Sequence, residues 1–304
     1  MSILSVQQLS KNYGYIHALK NVSFEVPKGS VFGILGPNGS GKTTLLGIVM
    51  DVLKPSSGSY LWMGEPGSNE QRKSIGTLLE TPNFYHYLSG ADNLAIAAAI
   101  KGKGKENIDK VLETVNLLQR KNSRFNTYSL GMKQRLAIAS ALLGDPDILV
   151  FDEPTNGLDP AGIAEIRQLI IQLRYQGKTI IMASHILDEV EKVCSHVAII
   201  QKGVLKTVGT VQEILSSKSA TNVQVVEIAS EDIKLLESVV KDMPGVSAIE
   251  IKNGTLHIIT DETVQASTIN RYCFEKGIVL NTLLLKRKSL ESTFLEITGN
   301  QSDR

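Results

Sequence analysis

Eight consecutive residues, Gly36-Pro37-Asn38-Gly39-Ser40-Gly41-Lys42-Thr43, fit the pattern G-x-x-x-x-G-K-[ST]. Glycines in such a run let the backbone turn sharply, so that successive N–H groups face one anion. A helix beginning at the end of the run adds the positive end of its dipole. Lys42 can then reach the β- and γ-phosphates of a nucleotide, the Thr43 hydroxyl can coordinate Mg²⁺, and Thr44 follows in the same first turn. A second chemical feature closes the apolar run Ile148-Leu149-Val150-Phe151, namely the acid pair Asp152-Glu153. Asp152 is suited to hold the Mg²⁺ ion, directly or through water, and Glu153 to polarise an attacking water as general base. Together these are the residue types that nucleotide hydrolysis needs.

That chemistry requires strand tips and helix starts held side by side. The segments LSVQQL, ALKNVSFEV and SVFGILG read as short strands, with residues 27–29 punctuating the last two. The glycine turn follows directly, and then the apolar helix TTLLGIVMDVL, which is the order of a parallel α/β unit. Residues from about 90 to 143 switch to helical periodicity. Strands return at ILVFD, TIIMAS and HVAIIQKG, separated by helices over 163–174 and through residue 191. The pattern predicts an α/β fold with a mostly parallel core sheet and an inserted helical lobe. A polar linker, SSKSATN, begins near residue 216. Beyond it come a strand VQVVEI, a helix EDIKLLESVVKDM, and strands VSAIEIK and TLHIIT joined by the turn signal Asn253-Gly254. A helix over 264–275 and a strand over 278–285 complete a β-α-β-β-α-β order, that of the ferredoxin-like split unit. The expected domains are 1–216 and a small α+β domain over 217–304.

Composition narrows the function. The 304 residues carry 32 Lys+Arg against 31 Asp+Glu, a net charge of +1, without the basic excess of a general nucleic-acid binder. The two cysteines, Cys194 and Cys273, lie far apart without metal or redox spacing and read as buried thiols. The start MSILSVQQLSKNYG shows no charged segment followed by an apolar one, so secretion is not expected. The most apolar helical stretch, residues 94–100, is too short to span a bilayer and ends in KGKGK. If the chain serves transport, another subunit must form the pore.

Between the two chemical features lies Tyr128-Ser129-Leu130-Gly131-Met132-Lys133-Gln134-Arg135. With it, residues from about 4 to 215 resemble the ATP-binding cassette family, whose signature loop is usually written LSGGQ. The resemblance implies that Ser129, Gly131 and Met132 open a helix whose N-terminus grips the γ-phosphate of ATP held by a second cassette. Each ATP would then lie between the phosphate loop of one copy and the signature of the other, in a head-to-tail pair. Asn156–Pro160, with Asp159, resembles the loop that crosses that interface. Ser184-His185 resembles the switch histidine that senses the γ-phosphate, and Tyr13 in Lys11-Asn12-Tyr13-Gly14 matches the aromatic residue that stacks on adenine. The implied fold, a P-loop NTPase cassette, adds an antiparallel β subdomain to the parallel core and helical lobe, and the implied cofactors are ATP and Mg²⁺. The implied partners are a second copy and an integral membrane permease, with no nucleic acid, at the cytoplasmic side of a bacterial membrane.

Two departures point within the family. Glu80, in IGTLLETPNFYHYLSGADNL, stands where most cassettes carry glutamine, and Leu130 and Met132 replace a Gly and a Gln of the signature. Both are similar to bacitracin- and lantibiotic-type exporters. A carboxylate at position 80 can ligate Mg²⁺ more strongly than an amide. The ending SLESTFLEITG resembles the extension of drug-exporter cassettes. The alternative, a non-transport cassette acting on DNA or ribosomes, fits less well: a single phosphate loop is present, and the interval before the signature has no sustained heptads.

Overall fold

The computed structural model describes residues 1–79, 83–216, 223–252, 254–261, 263–286 and 289–298. Glu80 and Asn253 lie outside the described residues. The chain divides into two compact units, Met1–Ile214 together with the chain from Phe294, and Leu215–Thr293.

In the first unit, alternating apolar residues build an antiparallel hairpin, β1 (Ser2–Tyr13) and β2 (Ile16–Pro27), with Val22, Phe24 and Val26 facing inward. β3 (Val31–Leu35) leads through the glycine run into α1 (Lys42–Val49). Leu45, Leu46, Ile48 and Val49 are all buried, which explains why this short helix is apolar all round after its first turn. β4 (Ser57–Trp62) pairs with β1, and β5 (Glu65–Pro66) with β4. The single tryptophan, Trp62, donates its indole N–H to the Val49 carbonyl at 2.9 Å and so ties β4 to the end of α1. α2 (Asn69–Lys73) and β6 (Ile75–Leu78) follow.

The helical lobe consists chiefly of α3 (Gly90–Lys101), α4 (Ile108–Thr114) and α5 (Leu130–Leu142). Lys101 donates to the Ser140 and Ala141 carbonyls in the last turn of α5, at 2.7 and 3.2 Å. Burial, with a smaller contribution from Lys103, pushes its ammonium pKa down to about 8. β7 (Ile148–Asp152), α6 (Pro160–Tyr175), β8 (Thr179–Ser184), α7 (Leu187–Val193), β9 (His196–Gln201), β10 (Val204–Thr210) and α8 (Val211–Ser216) complete the alternation. The six-stranded sheet runs β10-β9-β3-β8-β7-β6, parallel except at the β9–β10 hairpin. One face packs α1 and the antiparallel sheet through Phe32, Ile34, Val150, Ile181 and Ala198. On the opposite face, Gly33 lies against Val190 of α7.

The second unit contains β11 (Val223–Ala229), α9 (Ile233–Lys241), β12 (Val246–Lys252), β13 (Thr255–Asp261), α10 (Ala266–Glu275) and β14 (Thr282–Lys286). Its antiparallel sheet has the order β12-β13-β11-β14. Val226, Ile228, Leu256 and Ile258 form a core with Leu236, Val240 and Ile269 of the helices. The last helix, α11 (Leu290–Thr298), ends in the first unit, where Gln201 donates to the Thr298 carbonyl.

Candidate active site

Three parallel strands end level with one another: Leu35 of β3 beside Ser184 of β8, and Asp152 of β7 beside Ala183. The phosphate loop, Ser184-His185 and Asp152-Glu153 therefore leave from one carboxyl edge, where open α/β sheets place their ligands. At the next position in the sheet, Leu78 of β6 is level with Phe151.

The loop's shape demands its glycines. A Cβ on Gly36 would stand 2.2 Å from the Ile200 carbonyl oxygen. Gly41 has φ +108°, and a Cβ there would meet the Ala18 carbonyl oxygen at 2.5 Å. Strand β2 thus closes over the loop from one side. Beside β2, the β9–β10 turn also holds it, with the Gly203 N–H donating to the Ser40 carbonyl at 3.0 Å. Gly203 was not singled out by the motif; the Lys202-Gly203 turn between two strand signals is where it could have been found.

Helix α1 has no side-chain cap at Gly41, whereas Ser89, Ser129 and Asp159 cap α3, α5 and α6. Its first N–H groups open onto the loop, and the buried Ser40 hydroxyl has no protein partner among the described residues. An uncapped helix start beside an unpartnered hydroxyl and a lysine fits a phosphate group.

Lys42 is buried at 5% exposure and folds back into its own loop. Its ammonium donates to the Gly36 and Pro37 carbonyls at 2.9 and 3.2 Å and lies 3.4 Å from Glu153 Oε1. The other carboxylate oxygen of Glu153 accepts from His185 Nδ1 at 2.8 Å. An ionised carboxylate only accepts, so this contact puts the ring proton on Nδ1. Glu153 is held in the left-handed region, φ +46°, with its N–H donating to the Ala183 carbonyl at 3.0 Å. A non-glycine residue held there costs on the order of 1–3 kcal/mol, a cost that clusters at functional sites. The structure thus brings Lys42, Glu153 and His185 into one chain of contacts. Asp152 is buried beside them at the end of β7, while the Thr43 side chain is exposed on the first turn of α1 and Thr44 is half-buried.

A second group lies at the starts of α5 and α6. Ser129 caps α5 by accepting from the Met132 N–H at 3.3 Å. Asp159 caps α6 by accepting from the Gly162 N–H at 2.9 Å, with Pro160 in the first turn. Leu130 packs at Gly157 and Leu158 at Gly131, so the two helix starts adjoin. Among the described residues, no hydrogen bond of Ser129 or Asp159 reaches Lys42, Glu153 or His185. Tyr13, the last residue of β1, is about half exposed, with the Lys11 ammonium 5.1 Å from its ring centre. Tyr15 is fully exposed at the tip of the same hairpin.

Among the described residues, no helix is long and apolar enough to cross a membrane, and no three His, Cys, Asp or Glu side chains cluster as metal ligands.

Residues 19–156 match the ABC transporter family model. The chain is 38% identical to the uncharacterised ABC transporter ATP-binding protein YhcH of Bacillus subtilis, over 99% of this chain and 98% of that one. It is 32% identical to the bacitracin transport ATP-binding protein BcrA of Enterococcus faecalis, over 98% and 96%. Among solved structures it is similar to dimeric MJ0796, a bacterial ABC transporter cassette, with 26% identity and a TM-score of 0.62 over 68% of this chain and 98% of that one. With the phosphate loop, the paired acids and full-length relatives in agreement, the chain belongs to the ABC transporter family, as an ATP-binding and ATP-hydrolysing subunit.

Proposed function

We propose that this subunit hydrolyses ATP within a head-to-tail pair and drives export of a peptide antibiotic or similar amphiphile through a separate membrane permease. The observation that carries the chemistry is the run Lys42–Glu153–His185 at the carboxyl edge of the sheet. In this reading the α1 start and Lys42 bind the β- and γ-phosphates, and Tyr13 stacks on the adenine. Glu153 takes a proton from water as its oxygen attacks the γ-phosphorus, the bond to the β–γ bridging oxygen breaks, and ADP leaves. His185, donating from Nδ1, keeps the Glu153 carboxylate aimed at that water. Bound Mg²⁺ supplies neutralisation of the phosphate charge; Thr43 and Asp152 are the residues to hold it, with Glu80 the candidate third. Such an ion is ordinarily held by one or two carboxylates together with the phosphates, the part that Asp152 and Glu80 would fill.

The paired state is supported by the similarity to the dimeric MJ0796 cassette, and by Ser129 and Asp159 sharing no hydrogen bond with Lys42, Glu153 or His185 among the described residues. The export reading rests on the similarity to the bacitracin transport protein, together with Glu80 and the altered signature. It entails attachment to a permease at the cytoplasmic face of the membrane.

Glu153→Gln tests the chemistry. Phosphate release should fall on the order of 10²–10⁴-fold, while ATP still binds and still drives pairing in size-exclusion chromatography. Rapid turnover by that variant would remove Glu153 from its role.

A further inference from the structure

Helix α6 places two charged residues on either side of a buried one. Ile166 is 1% exposed and, with Leu169, Ile170 and Leu173, packs α6 into the fold. Successive residues on a helix are roughly 100° apart, so Glu165 and Arg167 leave Ile166 toward opposite flanks. Each flank finds a different helix. Glu165 Oε2 lies 3.5 Å from Arg135 Nε of α5, and Arg135 also donates to the Val115 carbonyl after α4. On the other flank, Arg167 donates to Glu189 Oε1 of α7 at 3.2 Å, with Glu189 only 9% exposed.

These partners sit close behind chemistry. Arg135 is six residues after Ser129 on the helix that Ser129 caps, and Glu189 is four residues after His185. The start of α6 is itself capped by Asp159, and the preceding Leu158 packs at Gly131. Ile166 holds the rod, and the two ion pairs make it a shared support.

We propose that α6 couples the two nucleotide sites of the pair, with Glu165–Arg135 tying it to the signature that serves the partner's ATP and Arg167–Glu189 tying it to the chain's own His185. This rests on the head-to-tail reading. Glu165, Arg167, Arg135 and Glu189 are positioning residues: a displacement of Asp159 at the interface moves both supports together, so closure at one site is felt at the other.

The test uses the full chain. Arg167→Met should lower kcat about fivefold and bring the Hill coefficient for ATP to about 1, while the affinity of dilute chain for a fluorescent ATP analogue stays unchanged. The reversed pair Arg167→Glu with Glu189→Arg should restore both kcat and cooperativity. It also guards against a fold defect, because Arg167→Met alone leaves a buried carboxylate unpaired. Arg135→Met should lower cooperativity without weakening analogue binding. Unchanged kcat and Hill coefficient in both single variants would overturn the proposal, as would a reversed pair that folds but recovers neither. Failure of Glu153→Gln to pair with ATP while Arg167 is intact would overturn the head-to-tail reading, and the coupling with it.

Discussion

At the scale of single residues, the phosphate loop shows why some positions can be read from sequence and others cannot. Gly41 is legible because its φ of +108° and its 2.5 Å approach to the Ala18 carbonyl admit no side chain, so the motif records a backbone constraint directly. Gly41→Ala should therefore destabilise the fold by about 1–3 kcal/mol and weaken nucleotide binding, checked by thermal unfolding and analogue titration. Glu153 was legible as an acid after an apolar strand, but neither its left-handed backbone nor its dual grip on Lys42 and His185 was. Those contacts join residues more than thirty positions apart, and no local pattern encodes them. The Arg167–Glu189 pair was invisible for a different reason: surface-type residues on two amphipathic helices look alike whether they face water or each other.

At the scale of elements, β-branched runs and glycine turns located the central strands of the parallel sheet, because strands buried on both faces are nearly all apolar. Strand β4 opens Ser57-Gly58-Ser59 and carries a weak signal; pairing with β1 holds it, and that is a long-range contact. Helix caps were legible at Ser129, since a serine before an apolar helix has a defined job. The junction of α3 with the end of α5 was not, although Lys101 makes it chemically distinctive. Its pKa in the fold is about 8 against the ordinary 10.5, so between those values the unfolded chain binds more protons than the native one. Stability arising from this site is lowest below pH 8 and increases as the pH rises through the window. Compared with Lys101→Met, the native chain should gain on the order of 1–3 kcal/mol across that range in denaturant titrations. A flat difference would mean that the two carbonyl contacts hold the ammonium charged in the fold.

At the scale of the whole molecule, the candidate site residues fall into two groups that share no hydrogen bond among the described residues: Lys42, Glu153 and His185 in one, Ser129 and Asp159 in the other. If each ATP needs one group from each copy, hydrolysis per chain should fall as the protein is diluted, and the loss should be reversed by concentrating it or by a tether joining two copies. Activity independent of concentration, from chains shown to be single, would refute the shared site. The second unit was legible as alternating strands and helices, whereas the return of α11 to the first unit was not, since its end meets Gln201 some hundred residues earlier.

The bare start of α1 carries a last consequence. Where α3, α5 and α6 are finished by a serine or an aspartate of their own, this one has no side-chain cap, and its opening turn is free for a bound phosphate to complete. A nucleotide at a hundred times its dissociation constant adds about 2.7 kcal/mol to the folded state. The energy currency of the cell thereby also sets the lifetime of the chain: when the nucleotide pool runs down, the subunit not only stops turning over but becomes easier to unfold and degrade.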